Sequence, residues 1–196
     1  RIQEAEKENN LKRIYVEPSL YFFKTSNSYI TTFKAGKRDI TYKDKLDSTD
    51  NSYNWAELTY KIFLEKRHGS KFKSLSPIAK IVWLDGENRF NKSIDSKFLD
   101  LNFDTLFNKN WYSGSDLFLE ENRLILGFEH NYFDTSNGDE IYLSLGRAFF
   151  DDKENKLRGD SKQSSYVAEL RTTISNKLSL NGSIEIDSSL ETISRG

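Results

Sequence analysis

Residues 166–187 read Tyr166-Val167-Ala168-Glu169-Leu170-Arg171-Thr172-Thr173-Ile174-Ser175-Asn176-Lys177-Leu178-Ser179-Leu180-Asn181-Gly182-Ser183-Ile184-Glu185-Ile186-Asp187. Tyr166, Ala168, Leu170, Thr172 and Ile174 fall on one side of a period of two, with Val167, Glu169, Arg171, Thr173 and Ser175 on the other. After Asn176-Lys177 the pattern repeats, Leu178, Leu180, Gly182, Ile184 and Ile186 opposing Ser179, Asn181, Ser183, Glu185 and Asp187. Successive side chains of a strand point to opposite faces, so this alternation predicts two strands with one apolar and one polar face. Two residues between them make a tight hairpin turn.

The same template fits Ala56, Leu58, Tyr60, Ile62 and Leu64 against Glu57, Thr59, Lys61, Phe63 and Glu65. It also fits Leu124, Leu126, Phe128 and Tyr132 against Gly127, Glu129 and Asn131, although Ile125 and Phe133 interrupt the polar side. In Ile141, Leu143, Leu145, Arg147, Phe149 the arginine is out of place, which calls for a bulge or for an interface where its head reaches water. The fold class predicted is therefore all-β, an antiparallel meander of about eight strands: 12–23, 29–42, 55–65, 75–84, 122–133, 140–150, 164–175 and 178–187. Pro18 and Pro77 fall inside two of them and predict strand starts, bulges or edges, because proline lacks a ladder donor.

The connections expected between these strands alternate: short at 24–28, long at 43–54, short at 66–74, very long at 85–121, short at 134–139, long at 151–163 and short at 176–177. In a meander, alternate connections lie on the same rim, so long loops gather at one end and short turns at the other. Outer-membrane barrels have that asymmetry. Within 85–121, the stretch Ser96-Lys97-Phe98-Leu99-Asp100-Leu101-Asn102-Phe103 also alternates and predicts a short strand or a folded piece of the loop.

Composition agrees. Apolar residues are 36% of the 196, yet aromatics reach 14%, with 14 Phe and 10 Tyr. A polar chain rich in aromatics is not of the disordered type and suits a sheet with one polar face. The net charge of −1 gives no electrostatic case for nucleic acid. No cysteine is present, so thiolate metal sites and cysteine nucleophiles are excluded. No run supplies the roughly 18 apolar residues of a membrane helix, but a spanning strand needs only about 9–11 with every second one apolar. The first ten residues are charged and lack the core of a signal peptide; with no methionine in the chain, it reads as an internal part of a single longer domain spanning 1–196.

Chemistry on bound groups finds little support. His68 and His130 lack a second ligand at metal spacing, and His68 reads as a turn residue in Arg67-His68-Gly69-Ser70. His130 with Glu129 or Asp134 makes a poor barrel hydrolase, since charged residues near strand ends are ordinarily rim residues. No catalytic, metal or cofactor site is expected, and the chain is not read as an enzyme. Tyr21, Phe22, Phe23, Tyr29, Tyr60, Phe63, Tyr132, Phe133, Phe149 and Phe150 gather near predicted strand ends, where aromatic girdles meet the membrane interfaces or where a soluble sandwich would pair its aromatics.

Several motifs in order resemble one barrel family. They are Val16-Glu17-Pro18, Leu75-Ser76-Pro77, Ile94-Asp95-Ser96, Leu106-Phe107 through Tyr112-Ser113-Gly114-Ser115-Asp116, Asn122-Arg123-Leu124, and Gly146-Arg147-Ala148-Phe149-Phe150. Together, from about Tyr15 to Asp187, they are similar to the LptD family of lipopolysaccharide-assembly outer-membrane proteins. Leu117 stands where that family has arginine, Arg147 where it has glutamine, and Trp83-Leu84-Asp85-Gly86 replaces a Tyr-x-Pro-Tyr stretch. The resemblance implies an open, curved segment of a transmembrane barrel of about 26 strands in the outer membrane of a Gram-negative bacterium. It implies non-enzymatic transport of lipopolysaccharide, with acyl chains passing to the bilayer and sugars through the lumen. The partners it implies are the plug lipoprotein LptE, a periplasmic transport bridge and outer-membrane lipid. Glu57, Lys61, Glu129, Glu169, Arg171, Asn181 and Glu185 would face the lumen. Asp95, Phe107, Tyr112, Gly114 and Asp116 would belong to an extracellular loop capping its mouth. The residues alone leave open a complete eight-stranded barrel with an adhesive or structural role, since eight strands suffice to close one.

Overall fold

A computed structural model describes residues 3–7, 11–43, 48–86, 96–114, 117–118, 122–151, 163–175, 177–186 and 193–195. They form one antiparallel sheet. Its elements are β1 (Gln3–Lys7), β2 (Leu11–Val16), β3 (Ser19–Thr25), β4 (Tyr29–Lys43), β5 (Ser48–Ile62), β6 (Leu64–His68), β7 (Lys71–Gly86), α1 (Phe103–Leu106), β8 (Arg123–Asp134), β9 (Asp139–Phe150), β10 (Tyr166–Ile174), β11 (Leu178–Ile186) and β12 (Ile193–Arg195). The sheet runs β1-β2-β4-β5-β7-β8-β9-β10-β11-β12, with β3 on β4 and β6 on β7. Its end strands β1 and β12 do not pair with each other, so the sheet is open, and the small closed barrel is not what these residues form.

Twelve strand labels describe ten strands, because two are interrupted at proline. β2 ends with Val16 opposite Asp39, and β3 resumes with Ser19 opposite Gly36, in unchanged register across Glu17-Pro18. β5 and β6 likewise keep one register along β7, Lys61 opposite Ile78 and Leu64 opposite Leu75, and the gap falls opposite Ser76-Pro77. A missing N–H opens the ladder locally without inserting a residue. The strand start, bulge or edge expected at Pro77 is thus corrected: β7 is an interior strand that begins at Lys71 and stays paired to β8 through Pro77 and Phe128.

Three boundaries differ from the sequence reading. The connection expected at 43–54 is mostly strand, since β4 and β5 pair without a break from Tyr29–Ile62 to Lys43–Ser48. Asp50, Ser52 and Asn54 face outward there while Asn51 and Tyr53 are buried, so polarity on the outer side hides the alternation. Only 44–47 separate the two strands, which removes one of the three expected long loops. The expected turn 66–74 shrinks to Gly69-Ser70, with Gly69 at a φ of 58°. β1 and β12 lie outside the eight predicted strands. At Arg147 the expected register shift occurs on one side: β9 pairs β8 without a break, but toward β10 the ladder stops at Gly146–Val167 and Phe149 then bridges Gln163, one residue out of step. Across that step Arg147 Nε donates to the Ser164 carbonyl (2.8 Å) and its guanidinium lies 4.1 Å from the Tyr166 ring centroid.

Register assigns every residue a face. Outward stand Phe33, Leu58, Tyr60, Leu124, Leu126, Leu143 and Leu170, all exposed large hydrophobic residues. On β7 the outward series is Leu75, Pro77, Ala79, Ile81 and Trp83, flanked by Lys73 and Asp85. The span 75–83, nine residues of strand, matches the about 9–11 of a tilted membrane strand and, at about 3.3 Å each, the roughly 25 Å apolar band of such barrels. Beyond this belt, towards 44–47, the outer face turns polar at Lys37, Asp39, Ser52 and Asn54. Of the aromatics expected in girdles, Phe22, Tyr29, Tyr60, Tyr132 and Phe149 face outward by register. Tyr21, Phe23, Phe63, Phe133 and Phe150 face inward instead, because strand-end position does not fix parity.

The core lies on the inner face. Tyr53, Trp55, Val82, Leu84, Ile125, Ala148, Phe150 and Val167 from the sheet enclose Leu106, Trp111 and Phe118 of the connection between β7 and β8. Burying side chains of this size contributes about 1.5–3 kcal/mol each. The stretch 96–107 is the folded piece of loop, not a sheet strand: Phe98 bridges Tyr112, and α1 begins at an Asn102–Thr105 capping box.

Candidate functional site

The site is the inner face together with residues 96–114 and 117–118 of the β7–β8 connection folded onto it (the segment 96–118 below, of which 115–116 are not described). Two glycines make room for it. Gly127 and Gly146 are cross-strand partners, and a Cβ on Gly146 would come 2.7 Å from Leu106 Cδ2, one on Gly127 3.0 Å from Phe107 Cζ. Without side chains at these positions the wall has a notch that receives Phe103, Leu106 and Phe107.

Polar contacts then fix both ends of α1. The Phe103 N–H donates to Glu169 Oε1 (3.2 Å). At the other end Lys80 Nζ donates to the Phe107 carbonyl (2.7 Å), and Arg123 Nη2 to the carbonyls of Asn108 (2.8 Å) and Lys109. Cations thus meet the carbonyls of the cap residue and of the turn that follows the helix. Trp111 Nε1 donates to the Leu106 carbonyl (3.1 Å), and Arg123 lies 4.9 Å from the Trp111 ring centroid. Phe118 stacks on Tyr53 at 3.7 Å.

Lys109 reaches the opposite side of the sheet, where it meets Glu17 and stands 3.6 Å from the Trp55 ring centroid. Glu17 also accepts from Arg38 Nη2 (2.7 Å) and from the Tyr15 hydroxyl. This cluster is level with Lys37 and Asp39, beyond the apolar belt. Burial works against ionisation of Glu17, but hydrogen bonds from Lys109, Tyr15 and Arg38 hold its carboxyl at about 2. Burial also pushes the Lys109 ammonium down, opposed by Glu17.

These contacts show the sheet to be concave. Six inter-strand steps of about 4.8 Å separate the β2–β3 strand from β10, about 29 Å if flat. Residues 103 to 109, partly helical, touch Glu169 at one end and Glu17 at the other. Seven residues with a helical turn cannot span a flat sheet of that width, so the wall curves around the segment.

All seven residues expected on the polar side share the inner face. Glu57 pairs with Lys80 (2.6 Å) and Lys34 (3.2 Å), and Lys61 with Glu129 (2.5 Å) across β7. Glu169 pairs with Arg171 (2.9 Å), Asn181 stands opposite Arg171, and Glu185 opposite Val167. Of the loop motif, Phe107 caps α1, Tyr112 bridges Phe98 with rings edge-on at 5.4 Å, and Gly114 takes a φ of 71°. Asp95 and Asp116 lie outside the described residues. Glu17 and Arg123 entered the sequence reading only as members of family motifs, with no role assigned, and Arg38, Lys80 and Lys109 were not singled out. The available signal was Ile125, an apolar residue on the polar side of its strand, which marks wall that something covers. Among the described residues no group of three acidic, histidine or cysteine side chains could hold a metal ion.

Comparison with known proteins gives a family match along the whole chain. The model of the family described as "LptD: LPS transport system D" matches residues 1–196. The chain is similar to the LPS-assembly protein LptD of Vibrio vulnificus strain YJ016, 26% identical over 208 residues. That alignment covers 95% of this chain and 26% of the relative. The protein of the same name from strain CMCP6 of that organism matches to the same extent. The chain therefore spans about a quarter of the length of these relatives.

Proposed function

The chain belongs to the LptD family, and from that premise we propose that it is a stretch of the wall of an outer-membrane β-barrel that delivers lipopolysaccharide to the cell surface. The observation that carries this reading is the division of one sheet into an exposed apolar outer belt of membrane-spanning height and a charged, concave inner face. Hydrocarbon tolerates the first and not the second; an aqueous lumen suits the second. Lipopolysaccharide has the matching division, with acyl chains for the bilayer and polar sugars for the lumen.

In this role the protein performs no chemistry on its cargo. Glu57, Lys61, Glu129, Glu169, Arg171, Asn181 and Glu185 line the polar path, where ion pairs on the wall keep charged groups satisfied beside water. The segment 96–118 narrows that path from the extracellular side, and the rim of short turns is periplasmic. The plug lipoprotein LptE and the periplasmic bridge engage the longer protein through other parts of it.

The test uses the full-length protein in cells depleted of the chromosomal copy. Surface lipopolysaccharide, labelled with antibody on intact cells, falls on depletion and returns with the wild-type plasmid. If labelling is unchanged while the barrel is absent from the outer membrane, the reading is wrong.

A further inference from the structure

We propose that the inner wall at β3 and β4 is a binding ledge for phosphorylated saccharide. The inference rests on the lipopolysaccharide reading for its direction and goes beyond it in assigning the sugars a place on the wall. Tyr21 stands opposite Lys34 and Phe23 opposite Thr32, so both rings share the inner face. They stack at 5.7 Å with planes 18° apart and are 55% and 65% exposed. Phe133, opposite Phe72, is also an exposed ring on this face at 40%, but Tyr21 and Phe23 are barer and are the pair that stacks beside a charged cavity.

The ledge is continuous with a cavity. Lys34 lies 5.5 Å from the Tyr21 ring centroid and 3.2 Å from Glu57. From there a space of about 550 Å³ opens beneath residues 107–109, lined among others by Lys34, Glu57, Lys80, Lys109 and Glu17. Three ammonium groups against two carboxylates leave it one charge positive. An acyl chain gains nothing from such a lining, because every polar group it covered would lose water without a replacement. A pyranose fits both halves. Its C–H face lies on an aromatic ring, as flat ligands do on stacking platforms, while its hydroxyls meet carboxylates and ammonium groups. Phosphate on the sugar answers the excess positive charge. Aromatic contact is tolerant of which sugar arrives, so successive residues can pass from Phe23 to Tyr21 and on to the charged cavity.

The experiment places a photo-crosslinking residue at Tyr21, at Phe23, at outward-facing Phe22 and at inner-wall Arg171 of the full-length protein in cells. The cells make either complete lipopolysaccharide or a form whose saccharide is cut back to the innermost sugars. Adducts with complete lipopolysaccharide are expected at Tyr21 and Phe23, falling about tenfold with the truncated form, as loss of stacking on two rings would give. Adducts at Tyr21 and Phe23 that persist at full yield with truncated saccharide overturn the ledge, as do adducts there with protein only. Adducts at Arg171 without any at Tyr21 or Phe23 overturn the ledge and leave the transport reading standing. No lipopolysaccharide adduct at any of the inner positions overturns both. In parallel, Tyr21→Ala with Phe23→Ala should slow surface delivery of complete but not truncated lipopolysaccharide, and Tyr21→Trp with Phe23→Trp should restore it. Equal slowing of both forms in a normally assembled barrel counts against the ledge.

Discussion

Substituting Gly146 by alanine should undock the segment 96–118 and leave the sheet intact. The added Cβ would sit 2.7 Å from Leu106 Cδ2 and 3.3 Å from Phe103 Cε2. Carbon atoms rest at about 3.5–4.0 Å, so the overlap with Leu106 is about 1 Å. Leu106 is fully buried between Phe103 and Trp111 and has nowhere to retreat. Overpacking of this kind costs about 1–3 kcal/mol, against which alanine in a strand recovers about 0.5–1 kcal/mol of the backbone entropy that glycine loses. A net cost of about 1–2 kcal/mol raises the open population of the segment about 5- to 30-fold. Limited proteolysis of the folded full-length protein reads this directly, because cleavage within 96–118 tracks the open fraction when closing is fast. Gly182→Ala is the control, since its Cβ would meet nothing within 4 Å. Equal cleavage of the Gly146 variant and wild type would refute the notch, and so would loss of the assembled barrel.

Three further outcomes follow from the same geometry. Trp111→Ala empties a fully buried site and should cost about 3–5 kcal/mol of docking energy, seen as still faster cleavage at 96–118 with normal barrel assembly. Ile81→Arg puts a charge into the outer belt at a cost of about 2–4 kcal/mol and should deplete the protein from the outer membrane, whereas Asn54→Arg, above the belt, should not. Glu17 has a folded value of about 2 against an ordinary 4.5, so its contribution to docking is full above about 4.5 and fades as pH falls toward 2; cleavage by an acid protease should rise over that window in wild type and stay flat in Glu17→Gln.

The face of each strand was legible in the sequence because period-two alternation is a local property. Glu57, Glu169 and Arg171 needed only their neighbours to be assigned a side. Strand ends were less legible. At 50–54 the outer face leaves the apolar belt and the alternation of hydrophobicity disappears, although the ladder continues. The docked segment was hidden for a different reason. Its partners Glu17, Lys80, Arg123 and Glu169 lie between 14 and 92 residues away, and no local period encodes which carbonyl a lysine will find. Gly127 and Gly146 looked like ordinary strand glycines, and only the cross-strand register makes them a pair.

That pairing bears on how the wall is put together. A one-residue slip between β8 and β9 would turn charged side chains toward lipid and is excluded by the bilayer. A two-residue slip keeps every face correct, and the bilayer cannot detect it. It would, however, set Gly127 opposite Ser144 or Ala148 in place of Gly146, and the recess for Leu106 would be split between two levels of the wall. Segment 96–118 would then have nowhere to seat. Its docking acts as a proofreading step, accepting only the one alignment of strands that hydrophobic sorting alone leaves ambiguous.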